Sequence, residues 1–163
     1  MINRVKQFIR AITAKIDNSD VDFINKYLNE SEKALFNQLS TYEKKHSLCV
    51  ARDILRQVAK QDLEYQMYIV KVGLLHDIGK IKYKLNTIDR VILVLLDKFT
   101  KGKIKNINNK KIYIYFFHGE EGYNILKSMG YMESFLNIIR NHHSNRNIEN
   151  LDMKVLVEAD NRN

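Results

Sequence analysis

EYQMYIVKVGLLHDIGK, residues 64–80, is the stretch on which the fold turns. Met67, Ile69, Val70, Val72, Leu74 and Leu75 make a helix drawn through them apolar nearly all round. A helix that is apolar all round is buried all round. Residues 64–77 are therefore read as a helix at the centre of the molecule. Its end carries an imidazole and a carboxylate, His76 and Asp77, with Gly79 as a natural stop just beyond. Two such groups at the end of a buried helix are costly unless something partners them.

Outward from this element the chain reads as helix almost throughout. Residues 3–16 carry Val5, Phe8, Ile9, Ile12 and Ile16 at helical spacing. Ser19 or Asp20 is expected to cap a helix reaching about Leu28, and Ser31 a short one with Leu35 and Leu39 inside. Residues 41–61 show Leu48, Ala51, Leu55 and Val58 on one side. Residues 87–99 are read as helix by length and context, and 101–111 as loop. IYIYFF, residues 112–117, is ambiguous: Tyr, Ile and Phe favour a strand locally, yet no partner strand is evident. Helices fit 119–129, 132–142 and 151–161. No repeat or Pro/Ser-rich linker divides the sequence, so residues 1–163 are expected to form a single all-α domain.

Composition agrees. Pro is absent and only 6 Gly occur in 163 residues, which favours long helices and few tight turns. A hydrophobic share of 45% argues for a globular chain rather than a disordered one. The single Cys49 can form no intramolecular disulfide, is read as a small buried hydrophobe, and fits a reducing compartment. The N-terminus is basic and amphipathic without the apolar core of a signal peptide. The longest apolar run, VILVLL, is far too short to cross a bilayer. A cytoplasmic protein with no membrane partner is expected. The net charge of +8 and the basic stretch TKGKIKNINNKK, residues 100–111, are read as a solvated lysine surface or as attraction for an anionic ligand.

All five histidines fall into one pattern: His46, His76, His118, His142 and His143, joined by Asp77 and Asp160. His46 precedes Val50 and Ile54 by one and two turns, His142 continues the stripe of Phe135, Ile138 and Ile139, and Asp160 lies one turn past Leu156. Polar groups at the ends of apolar stripes converge on a common interior. Any one of them alone reads as an ordinary core or surface residue; the set reads as a metal centre. Imidazole with carboxylate suits a divalent Fe, Mn, Zn or Ni ion, and the number of donors suits two. His143 stands outside the stripe. It is left as a substrate contact, a proton donor to a leaving group or a ligand to a further ion. Lys82, Arg140, Asn145 and Arg146 are weaker pocket candidates, equally read as surface.

The ordered set H…HD…H…H…D, with LLHDIGK around its second element, resembles the HD-domain (HDIG-type) metal-dependent phosphohydrolase superfamily over about residues 40 to 160. FFHGEEGYNIL is similar to that family's H-P-x-x-G-x-x-I-L element with Gly119 in place of Pro, and L-V-E-A-D resembles the segment that supplies its last Asp ligand. The resemblance implies a helical bundle around a metal centre. His46, His76, Asp77 and Asp160 would hold a first ion, and Asp77 would bridge to a second held by His118 and His142. A metal-activated hydroxide would cleave a nucleotide-like phosphate ester or anhydride, so the implied partner is a phosphorylated small molecule. Asp77, Lys80 and His143 are the candidate catalytic residues, with Lys80 reaching a substrate phosphate.

HHSNRNIEN stands where HD-GYP cyclic-di-GMP phosphodiesterases carry HHE and a D-G-x-G-Y-P segment, which disfavours that substrate. The spacing from HH to AD is closer to that of bacterial HD hydrolases resembling diadenosine-tetraphosphate hydrolases. Triphosphohydrolases acting on dNTPs are generally much larger. The alternative expectation is a non-catalytic HD-fold signalling or adaptor domain with a structural metal site. Nucleic acid is left open by the charge, but no nucleic-acid motif accompanies it.

Overall fold

Four of the described helices start where a short polar side chain finds an acid three residues on. In the computed structural model, which describes residues 15–144 and 150–163, Asp17, Asn29, Ser40 and Asn86 each accept from the backbone of Asp20, Glu32, Glu43 and Asp89. Each of those acids accepts in return from its cap's own N–H, closing a capping box. The helices that follow are α1 (Asn18–Tyr27), α2 (Glu30–Phe36), α3 (Thr41–Gln57) and α5 (Thr87–Thr100). Between them runs α4 (Leu63–Leu75), capped by Asp62, and after them come α6 (Lys110–Ser128), α7 (Glu133–Asn141) and α8 (Leu151–Arg162). Two 3₁₀ turns, Ile78–Lys82 and Lys103–Asn106, join α4 to α5 and α5 to α6. No strand occurs among the described residues.

Several boundaries differ from the sequence expectation for local reasons. Asp17 and Asn29, rather than Ser19, Asp20 or Ser31, cap α1 and α2, each closing a capping box with the acid three residues on, Asp20 and Glu32. The ambiguous IYIYFF is helical: Asn109 accepts from the N–H groups of Lys111 and Ile112 and starts α6 before it. Ile112 and Ile114 then turn inward while Tyr113 and Phe117 stack outside, one turn apart. The loop expected over 101–111 is shorter: Lys103–Asn106 form a 3₁₀ turn and Lys110 and Lys111 begin α6. Cys49 is half-buried. The helix expected over residues 3–16 lies outside the described residues except at its end.

The centre is α4, as its composition requires. Ile69, Val70, Val72, Leu74 and Leu75 are fully buried against Leu48, Ala51 and Ile54 of α3, Ile139 of α7 and Leu156 of α8. A smaller cluster of Leu85, Leu93, Ile104, Ile112 and Ile114 seats α5 beside α6. No helix among the described residues is long and apolar enough to cross a membrane.

Three box acids are buried and also cross-link the bundle. Asp20 takes Lys45 at 2.6 Å and Arg52 at 2.5 Å, both from α3. Glu32 takes Lys71 of α4 at 2.8 Å and the Tyr131 hydroxyl, and Glu43 takes Arg90 of α5 at 2.7 Å. For Asp20, burial alone raises the carboxyl pKa, but the hydrogen bonds from Lys45 and Arg52 outweigh it and hold the group below its ordinary range. Glu32 is lowered in the same sense, with Lys71 and Tyr131 outweighing burial. A folded pKa below the unfolded one means stability that is full above the ordinary carboxylate pKa and lost as pH falls through the folded value. Asp20→Asn is therefore expected to cost about 2 kcal/mol at neutral pH, and clearly less in acid. Urea unfolding of both proteins at pH 7 and in acid checks this; parallel losses at both pH values would contradict it.

Candidate metal centre

The site is assembled from the ends of elements. His46 lies in the second turn of α3, His76 closes α4, and Asp77 opens the first 3₁₀ turn. His118 sits midway along α6, His142 and His143 directly follow α7, and Asp160 lies in the last turn of α8. Thus the ends of α4, α7 and α8, the second turn of α3 and the middle of α6 all bring a polar side chain to one place.

Glycines make that convergence possible. A Cβ on Gly79 would lie 1.9 Å from the His118 carbonyl oxygen, so the turn bearing Asp77 rests directly on the backbone of α6. A Cβ on Gly119 would lie 2.6 Å from the Arg140 carbonyl oxygen, which draws α7 and its His142 against His118. Gly79 has no left-handed backbone, so its role is close approach, not the helix stop expected from sequence.

Three imidazoles have a defined tautomer. Nδ1 of His76 meets the Gly73 carbonyl at 2.8 Å, Nδ1 of His142 the Ile139 carbonyl at 2.7 Å, and Nδ1 of His118 the Ile114 and Tyr115 carbonyls at 3.1 Å. A carbonyl only accepts, so Nδ1 carries the proton and Nε2 presents a lone pair to the interior.

Asp77, 1% exposed, divides its two oxygens. Oδ2 faces His76 Nε2 at 3.5 Å and His46 Nε2 at 3.9 Å; Oδ1 faces His118 Nε2 at 3.2 Å and His142 Nε2 at 3.9 Å. Asp160 joins the first pair, with Oδ1 2.9 Å from His46 Nε2 and 3.8 Å from His76 Nε2. Lys80 Nζ sits 2.6 Å from Asp77 Oδ2.

Charge states follow from these surroundings. Burial drives His76 down despite Asp77 and Asp160, and burial with the neighbouring imidazoles of His143, His76 and His118 drives His142 well down. Asp77 is raised by burial but lowered further by Lys80, His76 and His118, and stays ionised. Asp160 is likewise held well below the carboxylate range, His46 outweighing burial. Burial lowers Lys80, yet Asp77 raises it more, so it stays protonated. Neutral His76 and His142 beside ionised Asp77 and Asp160 are in the protonation states a cation requires.

The donors fit a metal. His76 Nε2, His118 Nε2, His142 Nε2 and Asp77 Oδ1 are buried and have no hydrogen-bond partner, an arrangement that is costly in a dry interior. Asp77 Oδ1 lies 3.2 Å from His118 Nε2 and 3.9 Å from His142 Nε2, spacings that suit ligands about 2.1 Å from one ion. Two groups stand out, His46–His76–Asp77 and Asp77–His118–His142–His143, each with ligand atoms within 4.8 Å of one another, and Asp77 belongs to both.

The structure thus brings together His46, His76, Asp77, His118, His142, Asp160 and Lys80. It also brings in His143, which the sequence reading kept apart: its ring lies 4.0 Å from that of His142 and 4.9 Å from that of His118. His143 is exposed at the edge, yet reduced hydration and the charge of His118 lower its pKa. Arg140 is elsewhere, paired with Glu120 and lying over Tyr123, and Lys82 is exposed. Asn145 and Arg146 lie outside the described residues. Unforeseen was Tyr42, one turn before His46 and stacked on it at 6.4 Å, with the Arg90 guanidinium 4.8 Å from its ring. Its position four residues before a candidate ligand was the available signal.

Asp160 lies in the last turn of α8, and helix ends fray. If it holds an ion, that ion anchors the last turn of α8. Chelation is expected to speed amide exchange in residues 159–163 about tenfold, with little change near Met153 and Leu156 in the core. Unchanged exchange alongside verified metal loss would remove Asp160 from the ligand set.

A family model described as HD domain matches residues 44–162. No curated protein and no solved structure matches the chain.

Proposed function

The chain belongs to the HD-domain family, and from that premise we propose that it is a metal-dependent phosphohydrolase acting on a nucleotide-like phosphate ester or anhydride. The observation that carries the reading is the division of Asp77, one oxygen toward His46 and His76, the other toward His118 and His142. In that arrangement Asp77 would serve two cations, with His46, His76 and Asp160 holding one and His118 and His142 the other. Two divalent ions so held would supply Lewis acidity toward phosphoryl oxygens and acidify water at neutral pH.

The protein's own groups take the remaining tasks. The Nδ1 bonds of His76, His118 and His142 keep their Nε2 atoms aimed inward. Lys80 holds a positive charge against Asp77 and stands ready to meet a phosphate oxygen. His143, at the exposed edge, presents a neutral nitrogen where substrate enters and is the group best placed to exchange a proton with it. Reading Asp77, Lys80 and His143 as the catalytic residues rests on these positions.

The test is release of phosphate from a panel of mono-, di- and oligophosphate nucleotides by protein loaded in turn with Mn, Fe, Zn or Ni. Turnover that depends on metal and vanishes with chelator is expected. A protein that binds metal stoichiometrically and turns over no member of the panel would support the signalling or adaptor alternative instead.

A further inference from the structure

Helix α5 has apolar residues on two sides. Its inner side gives Leu93 to the small core and Arg90 to Glu43. Its outer side carries Ile88, Val91, Ile92, Leu95, Leu96 and Phe99, with Ile88 68% and Phe99 80% exposed. Steps of three and four residues set them in one stripe along the helix. The stripe presents on the order of 500 Å² of side chain, at the upper end of the ~300–600 Å² of the largest apolar patch on a monomer. Neither acid of the helix is fully exposed: Asp89 is held by Lys111 at 2.6 Å and Asp97 is half-buried.

Positive charge begins where the stripe ends. Lys98, Lys101, Lys103, Lys105 and Lys110 are exposed, and none forms an ion pair with a described residue. Ile107, 55% exposed, is set among them.

Different occupants explain different parts of this surface. Nucleic acid or free phosphate would account for the lysines and leave the stripe bare. A second copy would cover the stripe, but the stripe itself carries no acid to meet the lysines that follow it. An anionic lipid surface accounts for both, with the stripe at the acyl boundary and the lysines among the headgroups. We propose that α5 and the basic turn after it form a face that docks in the plane of an anionic bilayer. The length argument that excludes a spanning helix does not bear on one lying flat. The proposal is independent of the metal chemistry.

The experiment is co-sedimentation of the full chain with vesicles of phosphatidylcholine alone or mixed equally with phosphatidylglycerol, at low and high salt. The protein is expected to pellet with the mixed vesicles at low salt only, and to stay in solution with phosphatidylcholine. Ile92→Ser with Phe99→Ser should lower partitioning on the order of 100-fold. Lys98→Gln, Lys101→Gln and Lys103→Gln together should do the same, at roughly fivefold per lysine. All five side chains are exposed, so the variants should keep the wild-type circular dichroism and Tm. Equal pelleting on both vesicle types, or binding indifferent to Phe99, would overturn the proposal. So would a wild-type dimer in sedimentation velocity that binds no vesicles and is split by the serine variant, which would make the face a self-association surface.

Discussion

Asp77→Ala is expected to lower phosphohydrolase turnover on the order of 10⁴-fold and to strip most bound metal. Asp77 is the only residue in both candidate ligand groups, so its loss opens both at once. The comparison that makes this specific is His143→Ala. His143 belongs to one group and is exposed, so its loss leaves His46, His76, Asp77 and Asp160 as they were. Metal analysis of the two variants, purified without chelator, should show the greater loss at Asp77. Equal loss would contradict the bridging assignment, and full turnover in Asp77→Ala would contradict the mechanism. The substitution also leaves Lys80 without its partner at 2.6 Å, so circular dichroism must show the helices intact before the kinetics are read.

Gly79→Ala is expected to be the most damaging single methyl group in the molecule. The added carbon would meet backbone on three sides: the His118 carbonyl oxygen at 1.9 Å, the Gly122 nitrogen at 2.6 Å and the His118 carbonyl carbon at 2.9 Å. None of these is the end of a flexible side chain. The turn and α6 must separate, and Asp77 Oδ1 then leaves His118 Nε2, now 3.2 Å away. A cost of about 3 kcal/mol or more follows, with Tm lower by roughly 10 °C. Affinity for metal should fall with it. Gly130→Ala is the control: nothing lies within 4 Å of its Cβ, and only its φ of +84° opposes the change. That costs about 1 kcal/mol. A Gly79→Ala protein with wild-type Tm and metal content would mean the close approach of the turn to α6 is not what holds the site.

Much of the site was readable from residue identity. His46, His76, Asp77, His118, His142 and Asp160 stand out because each is a polar group ending an apolar stripe, a property of neighbours a few residues away. His143 was kept apart for the same local reason, its place off the stripe of α7. Its nearness to His118 comes from Gly119 letting α6 and α7 touch, a contact between residues 20 or so apart in sequence that no periodicity reports. Tyr42 and Arg90 escaped notice likewise: their contact joins α3 to α5.

By itself, then, the sequence determined the helices, the buried place of α4, and the inventory of donors. Helical periodicity, capping and apolar burial act over a few residues and are legible there; even IYIYFF had its answer in Asn109 just upstream. The tertiary structure alone decided how the donors divide. That Asp77 gives one oxygen to each pair of histidines, that Asp20, Glu32 and Glu43 serve as both caps and buried cross-links, and that one side of α5 stays uncovered, all depend on which helices meet. Those meetings are set by backbone approaches at Gly79 and Gly119 and by packing around α4, interactions between segments distant in the chain whose geometry local pattern does not encode.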